Sequence, residues 1–166
     1  MSYLLDTTVL SDVIRGRPPV NARFSGFDRE DLAVSVVTIK ELEYGRQRLP
    51  EGSWRFGAAM ENALRGIKVL PFRKDDAIIT GRLRATLARV GQSIGFYDVM
   101  IAGTALTHDL TLVTSNTQEF SRVPNLRIED WRLPYGVREP RLAYGHFAHG
   151  GLGTAPLQET AEIRAG

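Results

Sequence analysis

Cysteine is absent from the 166 residues, which excludes a disulfide framework, a thiolate nucleophile and a cysteine-ligated zinc site. Catalysis, if there is any, falls to oxygen or imidazole groups, and a metal site to oxygen ligands. No apolar run approaches the roughly 18 residues that span a bilayer. The first residues, Met1-Ser2-Tyr3-Leu4-Leu5-Asp6, lack a basic leader and are interrupted by a carboxylate, so a cytoplasmic protein with no membrane partner is expected. Lysine is scarce: only Lys40, Lys68 and Lys74 among 21 basic residues, the rest being Arg. Arg presents a planar fork that matches phosphate, but no basic run dominates and the net charge is only +2. Composition is otherwise that of a globular domain, with 43% hydrophobic and 24% charged residues.

Up to about Trp131 short β-like runs alternate with longer helical patterns, which predicts an α/β domain: a central parallel sheet of about five strands flanked by helices. The candidate strands are residues 3–5, 32–37, 67–70, 111–114 and 126–128. Helices are expected over 9–15, 38–47, 54–65, 75–90 and 97–107. Residues 1–133 form the expected domain. From Gly136 the last 31 residues hold six of the 16 glycines, and 134–166 read as a flexible Gly-rich tail. Its charges cancel, and a glycine-rich frame is a poor support for a metal pair at His146 and His149.

Polar residues collect after the strands. Asp6 follows the first strand directly and precedes Thr7-Thr8-Val9-Leu10. In an open α/β sheet that is the edge where ligands bind, although Asp is also a favoured helix N-cap. A haloacid-dehalogenase-type phosphatase also places Asp there but needs a second acid two residues on, where this chain has Thr8. Glu41 lies just after the second strand; with Thr38 it has the spacing of a capping box. Glu43, two residues further, points to another face. Asp98 shares a helical face with Ile101, Ala102, Ala105 and Leu106, so its carboxylate extends an apolar stripe. A carboxylate there needs a cation, several donors or a proton. After the fourth strand, Ser115-Asn116-Thr117-Gln118-Glu119 offers oxygen from Asn116 or Glu119, or is an ordinary polar loop.

Four blocks in order, Leu4-Leu5-Asp6-Thr7-Thr8-Val9-Leu10-Ser11, Ser35-Val36-Val37-Thr38-Ile39-Lys40-Glu41-Leu42-Glu43-Tyr44-Gly45, Asp98-Val99-Met100-Ile101-Ala102-Gly103-Thr104-Ala105 and Leu112-Val113-Thr114-Ser115-Asn116-Thr117-Gln118-Glu119-Phe120, resemble the PIN-domain ribonucleases, VapC toxins most of all. The resemblance covers about residues 2–133 and implies a three-layer PIN-like fold. It implies catalytic acids at Asp6, Glu41 and Asp98 and a fourth polar position at Asn116 or Glu119. Asp6 and Asp98 become the expected metal ligands. Glu41 would act through water or as a base, Asn116 and Glu119 would position the nucleophilic water, and Thr7 and Thr114 would donate to the ligands. Oxygen ligands of this kind suit Mg²⁺, with Mn²⁺ as a substitute. The implied activity is that of a toxin cutting structured RNA, tRNA included, as an endoribonuclease; the implied partners are a VapB-like antitoxin and a second copy in a homodimer. Two positions depart from the family pattern: Thr8 stands where Asn is common, and Asn116 where Asp is common. They leave a catalytically degenerate RNA-binding or scaffold protein as the alternative, and DNA cleavage by the same acids is a third reading.

Overall fold

The computed structural model describes residues 2–51 and 53–133; the tail expected over 134–166, with His146 and His149, lies outside the described residues. Five strands, β1 (Tyr3–Leu5), β2 (Leu32–Ser35), β3 (Lys68–Leu70), β4 (Thr111–Val113) and β5 (Ile128–Glu129), form one sheet in the order β3-β2-β1-β4-β5. Every pairing is parallel: Leu4 stands beside Ala33 on one side and Leu112 on the other. The helices are α1 (Thr7–Ile14), α2 (Pro18–Ser25), α3 (Val36–Gln47), α4 (Trp54–Leu64), α5 (Lys74–Arg89), α6 (Phe96–Thr107) and α7 (Thr117–Phe120), with a 3-10 turn at Arg29–Asp31.

Successive strand residues point to opposite faces, and both faces are covered. Leu4, Ala33 and Leu112 pack with Leu83 and Leu87 of α5 and with Val99, Ile101, Ala102 and Ala105 of α6. On the opposite face Leu5, Leu32, Val34 and Val113 pack with Val9 and Leu10 of α1, Phe24 of α2, Leu42 of α3 and Met60 of α4. The three central strands, β1, β2 and β4, are largely apolar and buried because they are sandwiched between helix layers, whereas the edge strands β3 and β5 carry the exposed Lys68 and the half-buried Glu129. A fully buried Leu such as Leu4 or Leu5 contributes roughly 2 kcal/mol. The far end of the domain is pinned by Trp131, which is fully buried, stacks on Phe27 at 5.0 Å and meets the edge of Tyr3. Beside it Arg132 and Arg17 reach the buried Asp12 at 2.6 and 2.9 Å, tying residue 132 to α1.

The expected elements are present with shifted ends. The strand expected to run to residue 37 stops at Ser35, whose hydroxyl accepts from the Thr38 backbone N–H and starts α3 two residues early. Glu41 therefore makes no capping box with Thr38. Two helices were not anticipated: α2, begun by Pro18 and Pro19, and the single turn α7, too short for a periodic signal. β5 pairs at Ile128–Glu129, displaced from the 126–128 run by its register on β4. Among the described residues no helix is long and apolar enough to cross a membrane.

The strand order also fixes where a ligand can enter. The chain runs outward from β1 through β2 to β3, then jumps back across to β4 on the other side of β1. Between β1 and β4 the connections leave in opposite directions, which opens a crevice at the carboxyl ends of these two strands.

Candidate active site

Asp6 stands at that crevice. Its backbone N–H continues the ladder by donating to Val113 O, and its extended backbone makes it the N-cap of α1. Its side chain is 2% exposed and is surrounded by donors. The Thr7 N–H gives Oδ1 a 2.7 Å bond, while the Thr8 and Thr114 hydroxyls both donate to Oδ2, at 2.9 and 2.7 Å. Three hydrogen bonds offset the hydration that burial removes and lock one rotamer. The Thr8 hydroxyl also accepts from Ser115 N, and that of Thr114 from Asn116 N. The Thr found where the family commonly has Asn is thus part of the frame that joins β1 to the loop after β4.

Glu41 is one and a half turns into α3, half-buried, and its Oε2 accepts from the Thr7 hydroxyl at 2.5 Å. Helical spacing sends Glu43 elsewhere: it chelates Arg46 and Gln47 at the surface, and those bonds hold its carboxyl down to about 2. Thr7 and Thr114, expected to support the acids, each donate to one.

Asp98 occupies the third position of α6, after the N-cap Gly95. Ile101, Ala102 and Ala105 on its face are buried, whereas the carboxyl itself emerges half-buried into the crevice. Gly95 lies so close that a Cβ at residue 95 would stand 2.7 Å from Asp98 Oδ2. Across the gap Glu119, in the single turn of α7, shares a hydrogen bond with Asp98 and accepts from Gly95 N at 3.1 Å. Burial first, then that bond, then the negative charges of Asp6, Glu119 and Glu41 push the Asp98 carboxyl up to about 7.

Of the two residues proposed for the fourth position, Glu119 meets Asp98. Asn116 serves by its backbone, as N-cap residue of α7 whose carbonyl accepts from the Glu119 and Phe120 N–H groups; its side chain makes no capping bond. Asp6, Glu41, Asp98 and Glu119 thus come from four separate segments to one crevice. Gly95 is a site residue that sequence reasoning left out, and the Gly-Phe-Tyr-Asp run was its only signal. A cavity of about 360 Å³ between α5 and Pro124–Asn125 contains none of these residues in its wall.

Among the described residues no three carboxylate or imidazole groups converge into a ready-made metal cage. The donor set nonetheless fits a small hard cation, because Mg²⁺ is usually held by one or two carboxylates and keeps several waters. The burial and crowded negative charge that raise the Asp98 carboxyl are the condition a divalent cation relieves.

The sequence pattern of the PIN domain matches residues 3–126. A relative from Salmonella typhimurium, tRNA(fMet)-specific endonuclease VapC, is 38% identical over 134 residues, covering 79% of this chain and 98% of the relative. Among solved structures, DNA-bound VapBC from the same species superposes with a TM-score of 0.73 at 37% identity, covering 79% of this chain and 98% of that one. VapBC2 from Rickettsia felis, bound to a promoter DNA fragment, reaches the same TM-score at 28% identity over 79% of this chain and 99% of the other.

Proposed function

The chain belongs to the PIN-domain family, and from that premise we propose that it is the toxin of a toxin–antitoxin pair, an endoribonuclease that hydrolyses phosphodiester bonds in structured RNA with Mg²⁺, or with Mn²⁺ in its place. The observation that carries this reading is the meeting of four acids at the β1/β4 crevice, one of them, Asp98, raised to about 7 by burial and by the other three. Among the described residues no ion pair engages Asp6, Glu41, Asp98 or Glu119, and a gathering of carboxyl groups without basic partners is the mark of a phosphoryl-transfer site rather than of a structural ion-pair network.

Asp6 and Asp98 would hold the cation, Asp6 with its rotamer set by Thr7, Thr8 and Thr114. When bound, the ion supplies an acidified water and offsets charge on the phosphoryl oxygens. Glu41, steadied by the Thr7 hydroxyl, is placed to take a proton from the attacking water, directly or through a second water. Glu119, anchored by Gly95 N, orients that water for in-line attack. Asn116 keeps α7, and with it Glu119, in register.

The Salmonella relative is named for cleavage of tRNA(fMet), which supports tRNA as the structured RNA. The superposed structures are toxin–antitoxin complexes, which supports a VapB-like partner; such an inhibitor needs a cation, such as an Arg, to enter the acidic crevice. A homodimer and a cytoplasmic location complete the proposal. The test is incubation of purified, antitoxin-free protein with total RNA in Mg²⁺, in Mn²⁺ or in chelator, with mapping of the cut ends. Discrete cuts with either metal and none in chelator are expected. RNA binding in chelator without cleavage in any metal would instead assign the degenerate, RNA-binding reading.

A further inference from the structure

Beside the acids the surface changes character. Tyr44, Phe96 and Tyr97 are 59%, 60% and 40% exposed, three of the large apolar side chains that a monomer normally keeps covered or scattered. They lie together. Lys40 Nζ stands 3.6 Å from the Tyr97 ring centre and 5.6 Å from that of Tyr44, so one cation links α3 to the start of α6. Phe96 meets Tyr97 edge to face at 5.7 Å. Arg48 lies 5.6 Å from the Tyr44 ring and Arg84 5.4 Å from that of Phe96. The strip abuts the crevice, since Lys40 precedes Glu41 and Tyr97 precedes Asp98 in the chain.

Such a strip answers a problem the acids create. Four carboxyl groups repel a polyanion, so a phosphodiester must be drawn in by charge and stacking from outside the crevice. Exposed aromatic rings interleaved with Lys and Arg are what single-stranded nucleic acid binds: bases stack on the rings, and the cations take the phosphates. A protein partner fits less well, because lysine is depleted from the centres of protein interfaces and here Lys40 is the centre.

We propose that Tyr44, Lys40, Tyr97 and Phe96, flanked by Arg48 and Arg84, form a stacking platform that grips unpaired nucleotides of the RNA next to the scissile bond. This rests on the ribonuclease reading for its purpose but not for its measurement. Unpaired bases present two free faces to such rings, whereas bases in a duplex are already stacked on one another. The platform therefore selects loops and ends over helices.

The test measures binding of a short fluorescein-labelled oligouridine to the wild-type chain by anisotropy, in chelator so that nothing is cut. The same oligomer annealed to its complement serves as comparison. The free strand is expected to bind more tightly than the duplex. Tyr44→Ala and Tyr97→Ala should each weaken it about tenfold, while Tyr44→Phe and Tyr97→Phe, which keep the rings, restore it. Lys40→Gln should lower the slope of log affinity against log salt by about 0.7, one phosphate contact on a single strand. In cleavage assays with metal, the two Ala variants should raise KM and spare kcat, as loss of uniform binding does. Equal binding of duplex, or unchanged affinity in both Ala variants, overturns the platform. So does conversion of these variants to a species of lower mass by light scattering, which would make the strip a self-association surface. Absence of cleavage by the wild type, with strand binding and its loss in the Ala variants intact, would overturn the ribonuclease reading and leave the platform standing.

Discussion

Replacing Gly103 by Ala puts a methyl group into the contact between α5 and α6, the two helices that together cover one face of the sheet. Built on the present backbone, that Cβ would overlap Thr80 Oγ1 and stand 3.1 and 3.2 Å from Thr80 Cβ and Cα. Rotating Thr80 relieves the first contact only; the other two yield only if the helices separate. Alanine favours a helix over glycine by about 1 kcal/mol, and overpacking costs about 1–3 kcal/mol, here the upper part of that range at about 2–3 kcal/mol because Thr80 Cα is backbone and cannot rotate away, so the net loss should be about 1–2 kcal/mol. Gly81→Ala provides the internal standard. It also lies inside a helix, α5, but its Cβ would meet nothing within 4 Å, so only the gain remains, about 0.5–1 kcal/mol. Urea denaturation of both variants should therefore place their midpoints on opposite sides of wild type, with melting temperatures about 5 °C apart. Thr80→Ala combined with Gly103→Ala should recover part of the loss, since the two residues touch and are not additive. A Gly103→Ala protein as stable as Gly81→Ala would refute the close approach of the two helices, and with it the placement of Asp98 at the head of α6.

Asp98→Asn should abolish metal-dependent cleavage while leaving the urea midpoint near wild type, because a neutral amide is easier to bury than a carboxylate; wild-type activity in that variant would remove Asp98 from the mechanism. The metal-free protein should lose stability as pH rises from about 4 to about 7. Across that interval the unfolded chain has released the Asp98 proton and the folded one, with this carboxyl at about 7, still holds it; the slope has the sign of protons bound unfolded minus protons bound folded, here negative. Glu43, held down to about 2, acts oppositely and only below its unfolded value near 4.5. Denaturation across pH in chelator checks this, and an unchanged slope in Asp98→Asn would assign it to other groups. Glu119→Gln should reduce the rate sharply and Asn116→Asp, which adds a carboxylate at the start of α7, should raise Mg²⁺ affinity, with non-additive effects in the double variant because both substitutions change the charge around one ion; additive effects on rate and affinity would separate Glu119 from the metal.

Local chemistry carried much of this protein into the sequence. A three-residue apolar run ending in Asp6 reads as a strand meeting a helix, because the N-cap preference of Asp and the brevity of Tyr3–Leu5 are properties of adjacent residues. The stripe of Ile101, Ala102 and Ala105 likewise placed Asp98 at the head of a buried helix. Where two local signals competed, the sequence was ambiguous: Val34, Val36 and Val37 make residues 32–37 rich in β-branched side chains, and only the Ser35 hydroxyl on the Thr38 N–H ends the strand there and turns Val36 into the start of α3. Neither the strand order nor the meeting of partners was local at all. The hydroxyl of Thr114 reaches Asp6 across 108 positions of sequence, and Glu119, not Asn116, faces Asp98 because the single turn of α7 rotates it there against Gly95. A chain encodes its turns and faces residue by residue, but the distance between two side chains on different elements depends on the register of every strand and helix between them. That is why the acids could be named from the sequence, and why the raised carboxyl of Asp98, and the strip of rings beside it, emerged only when the sheet was assembled.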